Sequence, residues 1–575
     1  MSIVHGGRTL LRNIIVNFVV KLLKSSRLGK RKKKRAASVI AKILAGRTTN
    51  FLIAKKLGKA KKYYYSKFFL FSYVDSNIKQ EIYHTEAILL LSKVLRKKFH
   101  YAESENYLNQ CQPSSHKEEI NILREKFALY RHWARYKTYK VRKDKGNDSD
   151  ASMCRVWAGV AITGLELFEK DIKFAFKNKK DIVAAHITAL EMMRNKHETK
   201  DLRNNLIRGF VGKLCCARNN EEECQSLYSW ISKAIDENEP SESKHYFNEI
   251  ELKLCSSEGW SNLSALLWCL ALFESSLCAR RKSIECAFVE ASETESVITL
   301  YRGLLASMDL DDTFKAEAIY KKLLEIVNND VQESGIIKEI GFEKYKATIE
   351  HVESLLFRSS AKVENINFLD YIENKKIAIV GSSSGELPDE LKKFDIVIEL
   401  NVVNEKLTGK FEKILSLSHS PAKHFDFSSF SQSARGCKWI MVPEKYVDFF
   451  EGRGVNIFAK GASPHLYSGS LNHGMSVIYY LLKYKPSKIK IFNMNFYLSS
   501  SIYRDGYSPF DLKMKDLSLT TILLQANHDS FSNINFTKSL LNRNLVCADN
   551  GCKHVLNMEL EQYAGEMKKI VLSLG

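Results

Sequence analysis

A small polar turn between two apolar segments has the composition to hold a phosphate group. Ile377–Val380 is a β-branched run typical of a strand that is buried on both faces. It leads into Gly381–Gly385, five small residues whose backbone N–H groups could face an anion. A second apolar run, Asp395–Leu400, follows and ends at Asn401. Strand, turn and strand in this order are typical of a nucleotide-binding α/β sheet, whose ligand lies beyond the carboxyl ends of the strands.

The same turn has two other interpretations. It could be a plain strand-to-helix turn of an α/β domain. Gly381-x-Ser383-x-Gly385 also matches the G-x-S-x-G elbow of serine hydrolases, in which Ser383 would be the nucleophile. Against the elbow, Pro388 follows where a helix should already have begun. The turn has neither GxGxxG nor a Walker lysine, so the ordinary dinucleotide and P-loop signatures are not satisfied.

Three later segments also carry groups that could act on a ligand. Ser468–Met475 opens a predicted helix with small and polar residues, which favours an anion at the helix N-terminus. Asn495 follows the predicted strand Ile489–Phe492. His528 and Asp529 precede another predicted helix, and a histidine beside a carboxylate can act as a general base or bind a phosphate. Such a pair is also a common helix cap.

Together these segments resemble the motifs of the sialyltransferases of glycosyltransferase family 29, and more closely those of their bacterial relatives that use CMP-activated sugars. Residues 380–385 (VGSSSG) and 395–401 (DIVIELN) are similar to the long sialylmotif. Residues 471–474 (LNHG), with the helix and strand after them, are similar to the short one. His528 stands at the third motif, and His554 with Glu559 matches the fourth, H-x4-E. The resemblance covers residues 361–575 only.

Two positions depart from the family pattern. Ser382 stands where the family has Asn, and Glu399 stands where it has Arg. Neither sialylmotif contains the cysteine that animal members use for a disulfide, which fits a reducing compartment.

The resemblance implies a CMP-sugar-dependent glycosyltransferase. It would move sialic acid or Kdo to a hydroxyl of a glycan or glycolipid acceptor, in the synthesis of capsule or lipopolysaccharide. No cofactor is implied, because the CMP-sugar is the donor substrate, and no metal is implied. The catalytic residues would be His528 or His554 as the base, with Asp529 beside His528. The nucleotide would be bound by Gly381, Ser382, Ser383, Asn401, His473, Gly474 and Asn495. A non-catalytic helical-repeat scaffold with a degenerate nucleotide fold, or a hydrolase using Ser383, remain the alternatives.

Residues 361–575 must supply the sheet that positions these groups. Short apolar runs alternate with helical patterns, which predicts a mainly parallel sheet covered by helices, an α/β Rossmann-like domain. The predicted strands are Lys376–Val380, Ile396–Leu400, Lys413–Ser416, Trp439–Val442, Val455–Phe458 and Ile489–Phe492. The predicted helices are Tyr446–Phe450, Gly474–Tyr484, Lys513–Thr521 and Asn533–Leu541.

Residues 75–360 carry apolar residues at helical spacing almost throughout. Helices joined by short polar links predict an all-α region of helical hairpins, similar in style to degenerate tetratricopeptide repeats. Such a region could bind a protein partner. The predicted helices are Glu81–Lys98, Glu118–Tyr139, Met153–Asn178, Asp181–Arg194, Leu202–Ala217, Gln225–Asp236, Trp260–Ala279, Ser292–Ser307 and Asp312–Asn328.

Residues 1–74 concentrate the positive charge of the chain. They hold 19 of its 87 Lys and Arg residues and no Asp or Glu, so most of the net charge of +21 lies here. The apolar stretch Leu10–Leu23 is too short and interrupted to span a bilayer, and Lys30–Arg35 (KRKKKR) follows it. These features predict a basic amphipathic leader on an anionic membrane surface. Nucleic acid is a less favoured partner, and a solvated arm remains possible. The predicted location is therefore cytoplasmic, peripheral at the inner face of the cell membrane.

Overall fold

The computed structural model consists of two compact units, Met1–Met192 and Met193–Gly575. It describes residues 15–23, 30–43, 48–59, 84–144, 150–171, 200–215, 221–236, 256–294, 296–329, 342–357, 365–381, 389–400, 409–417, 436–450, 455–498 and 529–574, with single positions between 66 and 74 and between 174 and 190. The division falls at neither of the predicted domain boundaries, 74/75 and 360/361.

The first unit is helical. Its helices are α1 (Lys30–Ile43), α2 (Thr48–Lys59), α3 (His84–Arg96), α4 (Tyr101–Gln110), α5 (His116–Asp144) and α6 (Asp150–Lys170). The sequence did not predict α4, whose four-residue link to α3 carries Phe99 at a φ of 64°.

Apolar side chains of the basic leader form a hydrophobic core with α3. Val16, Leu23, Phe51 and Leu57 are buried in one cluster with Leu91 and its neighbours on the same helix. The membrane-surface interpretation would place the apolar face of the leader in lipid, but most of the apolar side chains in its described part are covered by protein. Phe18, 64% exposed, is an exception.

The second unit begins with helices. These are α7 (Lys200–Phe210), continued by the π-helical turn Val211–Cys215, then α8 (Glu221–Asp236), α9 (Ser257–Cys269), α10 (Phe273–Glu293), α11 (Val297–Asp309), α12 (Thr313–Asn329), α13 (Phe342–Phe357) and α14 (Ile366–Ile372).

The single helix predicted over Trp260–Ala279 is wrong, because the chain turns between α9 and α10. Ala271 adopts a left-handed φ of 61°, and Leu272 N–H donates to the Leu267 carbonyl, which closes a Schellman-type helix end. The turn between α11 and α12 repeats this geometry, with Asp311 at a φ of 56° and Asp312 N–H donating to the Ser307 carbonyl. Neither turn has the glycine that usually marks a helix end, so the sequence gives little sign of them.

Within the described residues, seven strands form one parallel sheet at the C-terminal end of the chain. The strands are β1 (Lys376–Val380), β2 (Ile396–Leu400), β3 (Glu412–Ser416), β4 (Cys437–Pro443), β5 (Asn456–Lys460), β6 (Lys488–Phe492) and β7 (Cys547–Ala548). Their order is β5-β4-β3-β2-β1-β6-β7. The strands β1 and β2 are almost completely buried, as their continuous apolar runs predicted. An α-helical region followed by an α/β part is therefore confirmed.

The helices of this part are α15 (His473–Leu482), α16 (Ser530–Asn542), α17 (Asn550–Asn557) and α18 (Leu560–Leu574). The helix predicted over Tyr446–Phe450 is a 3-10 helix, Glu444–Phe449, and the predicted helix Lys513–Thr521 lies outside the described residues. The two-residue strand β7 was not predicted, because so short a strand has no apolar pattern of its own.

The helices α9–α13 pack on the α/β part through a buried ion-pair network. Arg280 of α10, 2% exposed, has its Nη2 2.7 Å from Asp309 Oδ1 at the end of α11. Its Nε lies 3.2 Å from Asp529 Oδ2, just before α16. The Ser532 hydroxyl of α16 lies 2.6 Å from Asp309 Oδ1 and 2.7 Å from Asp529 Oδ2, so its one proton has an acceptor on either side. Burial lowers the pKa of the Arg280 guanidinium, and the two carboxylates raise it by more, so the arginine stays charged.

Candidate functional site

The strand order reverses between β1 and β6, and two residues of the predicted nucleotide site, Gly381 and Asn495, lie near this point. The chain runs outward from β1 through β2 to β5, then returns to the other side of β1 for β6 and β7. In open parallel sheets, ligands bind outside the carboxyl ends of the strands where the order reverses. Gly381 directly follows β1, and Asn495 lies three residues after β6, so both are at this edge.

Gly381 and Gly474 approach the same side chain, that of Met494. A Cβ on Gly381 would lie 2.6 Å from Met494 Cγ and only 2.2 Å from the Asn493 carbonyl oxygen. A Cβ on Gly474 would lie 2.7 Å from Met494 Cε. The end of β1, the start of α15 and the loop after β6 therefore meet. Gly381 has a packing role here, because only a residue without a side chain lets the β1 and β6 ends come so close.

The loop after β6 has an unusual backbone. Asn493, Phe496 and Tyr497 have φ values of 53°, 49° and 71°, which bulky residues rarely adopt. Neighbouring groups hold this conformation: the Asn493 N–H donates to Asp549, and the Tyr563 hydroxyl donates to the Phe496 carbonyl. Backbone strain held in this way is concentrated at functional sites, so it supports a ligand site at this edge.

A serine, a lysine and a histidine from three elements meet beside the start of α15. His473, the first residue of α15, has its Nε2 2.9 Å from the hydroxyl of Ser416, the last residue of β3. Lys460 ends β5, and its Nζ lies 3.0 Å from Ser416 Oγ and 3.2 Å from His473 Nε2. Lys460 Nζ also donates to the Leu417 carbonyl at 2.8 Å, so the lysine reaches across β4 to the end of β3.

The lysine of this cluster is almost completely buried. Lys460 is 5% exposed, and burial lowers its pKa from 10.5 to about 7. The cause is desolvation, which penalises the ammonium form. A lysine with such a pKa changes its charge near neutral pH, which an exposed lysine does not do.

Ser416 and Lys460 are at the distance of a Ser–Lys catalytic pair, but their burial argues against nucleophilic catalysis. Ser416 is 0% exposed, whereas a nucleophile must be reached by its substrate. His473 is half-buried and is the member of the cluster that lies nearest the surface. The three side chains therefore tie the ends of β3 and β5 to the start of α15 by hydrogen bonds.

Asp529 is placed away from the role predicted for it. Its carboxylate caps α16 through the Ser532 N–H and pairs with Arg280, and it is 8% exposed. A carboxylate used in this way has little capacity left to orient a histidine. Its backbone is nevertheless next to the site, because Asn533 links it to the start of α15. Asn533 Nδ2 donates to the Asp529 carbonyl, and Asn533 Oδ1 accepts the N–H of Asn472, the N-cap of α15.

His554 lies in the last turn of α17 and is exposed. The N-cap of this helix, Asp549, contacts the Asn493 N–H at the carboxyl edge of the sheet. His554 is five residues further on, so the helix carries it away from that edge. This placement does not favour His554 as the base.

Four predicted site residues lie outside the described residues: Ser382, Ser383, Asn401 and His528. The structure brings Gly381, Gly474, His473 and the Asn495 loop to one edge of the sheet. Sequence reasoning missed Ser416 and Lys460. Their position as the last residues of apolar strands is a signal that could have found them, because parallel strands end at the same edge.

Glu399, which departs from the family pattern, is completely buried in β2 between Val380 and Leu415 of the neighbouring strands. In the described part of the chain, no group of three or more His, Cys, Asp or Glu side chains is arranged to hold a metal ion. No helix among the described residues combines the length and apolar character needed to cross a membrane.

No protein-family model matches this chain, and neither the curated proteins nor the solved structures contain a match to it.

Proposed function

We propose that the protein is a CMP-sugar-dependent glycosyltransferase with a Rossmann-like nucleotide site at the carboxyl edge of its sheet. One observation carries the proposal: the segments that resemble the two sialylmotifs meet where the strand order reverses, with Gly381 and Gly474 against Met494. The donor would be a CMP-activated sugar acid such as sialic acid or Kdo, and the acceptor a hydroxyl of a surface glycan or glycolipid.

The start of α15 would hold the charged part of the donor. The first N–H groups of a helix have no acceptor within the helix, and the helix dipole favours an anion there. CMP leaves as a phosphomonoester, so N–H groups at this helix start would stabilise the leaving group by hydrogen bonds. The acceptor hydroxyl would lose its proton to His528, the residue just before the Asp529 cap.

Calorimetric titration with CMP, followed by an assay of donor hydrolysis and transfer, tests this proposal. We expect CMP to bind the full chain and transfer to depend on His528. A general base contributes about 10²–10⁴-fold, so His528→Ala should lower transfer by that factor and leave CMP affinity nearly unchanged. His554→Ala tests the alternative base, because the resemblance leaves the choice between His528 and His554 open. Absence of CMP binding would refute the transferase and favour the helical-repeat scaffold. Loss of all activity in Ser383→Ala, with CMP affinity unchanged, would favour a hydrolase.

The basic segment would hold the enzyme at an anionic membrane, where a glycolipid acceptor is found. Helix α1 begins with Lys30–Arg35, six cations at the end of a helix where the dipole disfavours positive charge. Binding to an anionic partner would offset this unfavourable placement of the cations. Because most of the apolar face of the leader is buried, the proposed attachment is electrostatic and should weaken as salt is added.

A further inference from the structure

A small, partly enclosed cavity lies between helices α11, α13 and α16 and residues 465–467. Leu305, Val352, Phe536 and Leu540 make much of its wall apolar. The space open to the centre of a water molecule is about 30 Å³, which is room for about two waters. The cavity can therefore hold a ligand of the size of formate or acetate. Its described lining contains none of the residues predicted for the nucleotide site.

His351 of α13 lines this cavity and has no hydrogen bond to its ring from any described residue. The residue is only 9% exposed, and its ring packs against those of Tyr479 and Phe536, with centroids 5.8 and 5.3 Å away. A buried polar group without a partner is costly, because it has lost its hydrogen bonds to water. A ligand in the cavity would restore a hydrogen bond to the ring.

Other polar groups of the lining already have partners. The Asp309 carboxylate pairs with Arg280 at 2.7 Å. The hydroxyls of Thr348 and Ser539 donate to a backbone carbonyl and to a second carboxylate. The ring of His351, unlike these groups, is still available to a ligand.

The guanidinium of Arg543 lies at the wall of the cavity. Its Nε is 3.2 Å from the Ser539 hydroxyl, and its Nη1 is 3.4 Å from the Leu355 carbonyl. Both of these residues line the cavity. A ligand that reaches His351 would therefore lie near a positive charge.

The charges around His351 favour an anion over a cation. Burial, together with the positive charges of Arg543 and Lys483, lowers the pKa of His351 to about 4. The ring is thus neutral at neutral pH and offers one N–H donor. The carboxylates that pair with these cations, Asp311 and Glu350, are the more exposed member of each pair, so water screens them more.

We propose that this cavity binds a small carboxylate such as formate or acetate, with the His351 ring donating a hydrogen bond to it and Arg543 supplying positive charge. The apolar wall would receive the hydrocarbon end of the ligand. Asp309 opposes the anion less than an isolated carboxylate would, because it is paired with Arg280. This inference goes beyond the proposed function and does not depend on it.

Calorimetric titration of the full chain with sodium acetate tests the inference, with sodium chloride keeping the ionic strength constant. So small a ligand makes few contacts, and we expect a dissociation constant of about 1–10 mM. Acetamide has the shape of acetate without its charge. It should bind at least about tenfold more weakly, because hydrogen bonds to a charged group are the stronger ones.

Variants at two positions locate the ligand. His351→Leu removes the donor and should weaken acetate binding at least about tenfold, and His351→Gln, which restores an N–H donor, should recover part of it. Arg543→Gln should weaken binding about threefold, a modest effect because the guanidinium is partly exposed. Arg281→Gln is the matched control and should leave binding unchanged, because it also removes an arginine from a partly exposed ion pair but does not line the cavity.

The possible results separate the inference from its alternatives. Loss of acetate binding in His351→Leu, with partial recovery in His351→Gln, would support it. Acetate binding that is unchanged in the His351 variants would overturn it, because the ligand would then lie elsewhere. Equal binding of acetamide would exclude a site for carboxylates. If neither ligand binds, the cavity holds water only and the inference is refuted. His351→Gln and Arg543→Gln keep the test decisive if the leucine variant does not fold.

Discussion

Replacing Arg280 by methionine is expected to be among the most destabilising single changes in the second unit. The arginine is 2% exposed and is the cation between Asp309 and Asp529, both of which are 8% exposed. Methionine keeps much of the apolar stem, so the main loss is charge. The two carboxylates would then face each other in the protein interior without a counter-ion.

The size of the effect follows from the burial of the network. Removing one partner of a buried ion pair costs about 3–5 kcal/mol, because the remaining charge stays desolvated. Arg280 also lies over the rings of Tyr467 and Phe531, at 5.8 and 5.9 Å from the ring centroids, and these contacts weaken too. Arg281, the next residue, pairs with Glu561, but both side chains are 40% exposed or more. An exposed pair is worth about 0–1 kcal/mol, so Arg281→Met is the matched control.

Urea unfolding of the full chain measures both changes, followed by tryptophan fluorescence, to which four of the six tryptophans contribute from the second unit. We expect Arg280→Met to lower the free energy of unfolding by at least about 3 kcal/mol, and Arg281→Met by less than about 1 kcal/mol. Adding Asp309→Asn and Asp529→Asn to Arg280→Met should recover part of the loss, because no uncompensated charge then remains and Asn still caps a helix. If the two arginine changes lowered the free energy of unfolding equally, the buried network would not be what holds these helices on the sheet.

Three further predictions concern the sheet edge and the leader. Gly381→Ala should lower the free energy of unfolding by at least about 2 kcal/mol, because the new Cβ would lie 2.2 Å from a backbone oxygen. Gly551→Ala in α17 is the control and should not destabilise the protein, because its Cβ would lie 3.7 Å from the nearest atom. The free energy of unfolding of Lys460→Met should rise relative to that of the intact protein as pH falls from 10.5 to 7, by up to about 1.4 kcal/mol per pH unit. In this range the lysine of the unfolded chain binds a proton that the folded protein does not. Parallel plots of stability against pH for the two proteins would contradict the lowered pKa. Changing Lys30–Arg35 to glutamine should weaken binding to anionic vesicles at least tenfold at low salt, since each cation contributes about 1 kcal/mol; unchanged binding would exclude this segment as the anchor.

The vesicle experiment uses substitution because deletion of the leader would remove part of a core. Val16, Phe51 and Leu57 pack with Leu91, so a chain without its first 60 residues would expose the apolar face of α3. Glutamine substitution at Lys30–Arg35 removes the charge and leaves the buried side chains of α1, Ala37 and Ala41, in place.

The sequence by itself determined six of the seven described strands and the sheet edge at which the candidate site lies. The bounds of β1 and β2 were predicted as observed, because continuous β-branched runs between polar residues are a local signal. The positions of Gly381, His473 and Asn495 at strand ends and a helix start followed from the same local patterns. A parallel sheet brings such ends to one side, so the location of the candidate site was predictable without knowing any contact.

Tertiary structure alone decided which distant residues share an environment. Lys460, Ser416 and His473 are 13 to 57 residues apart in the chain, and the lowered pKa of the lysine arises from burial that no local pattern encodes. The turn at Ala271 uses a left-handed alanine in an apolar stretch, where sequence predicts an unbroken helix. Arginine is usually a surface residue, and only the fold shows that Arg280 is buried and that two carboxylates more than twenty residues away balance its charge. These features depend on long-range packing, which single-residue preferences do not contain.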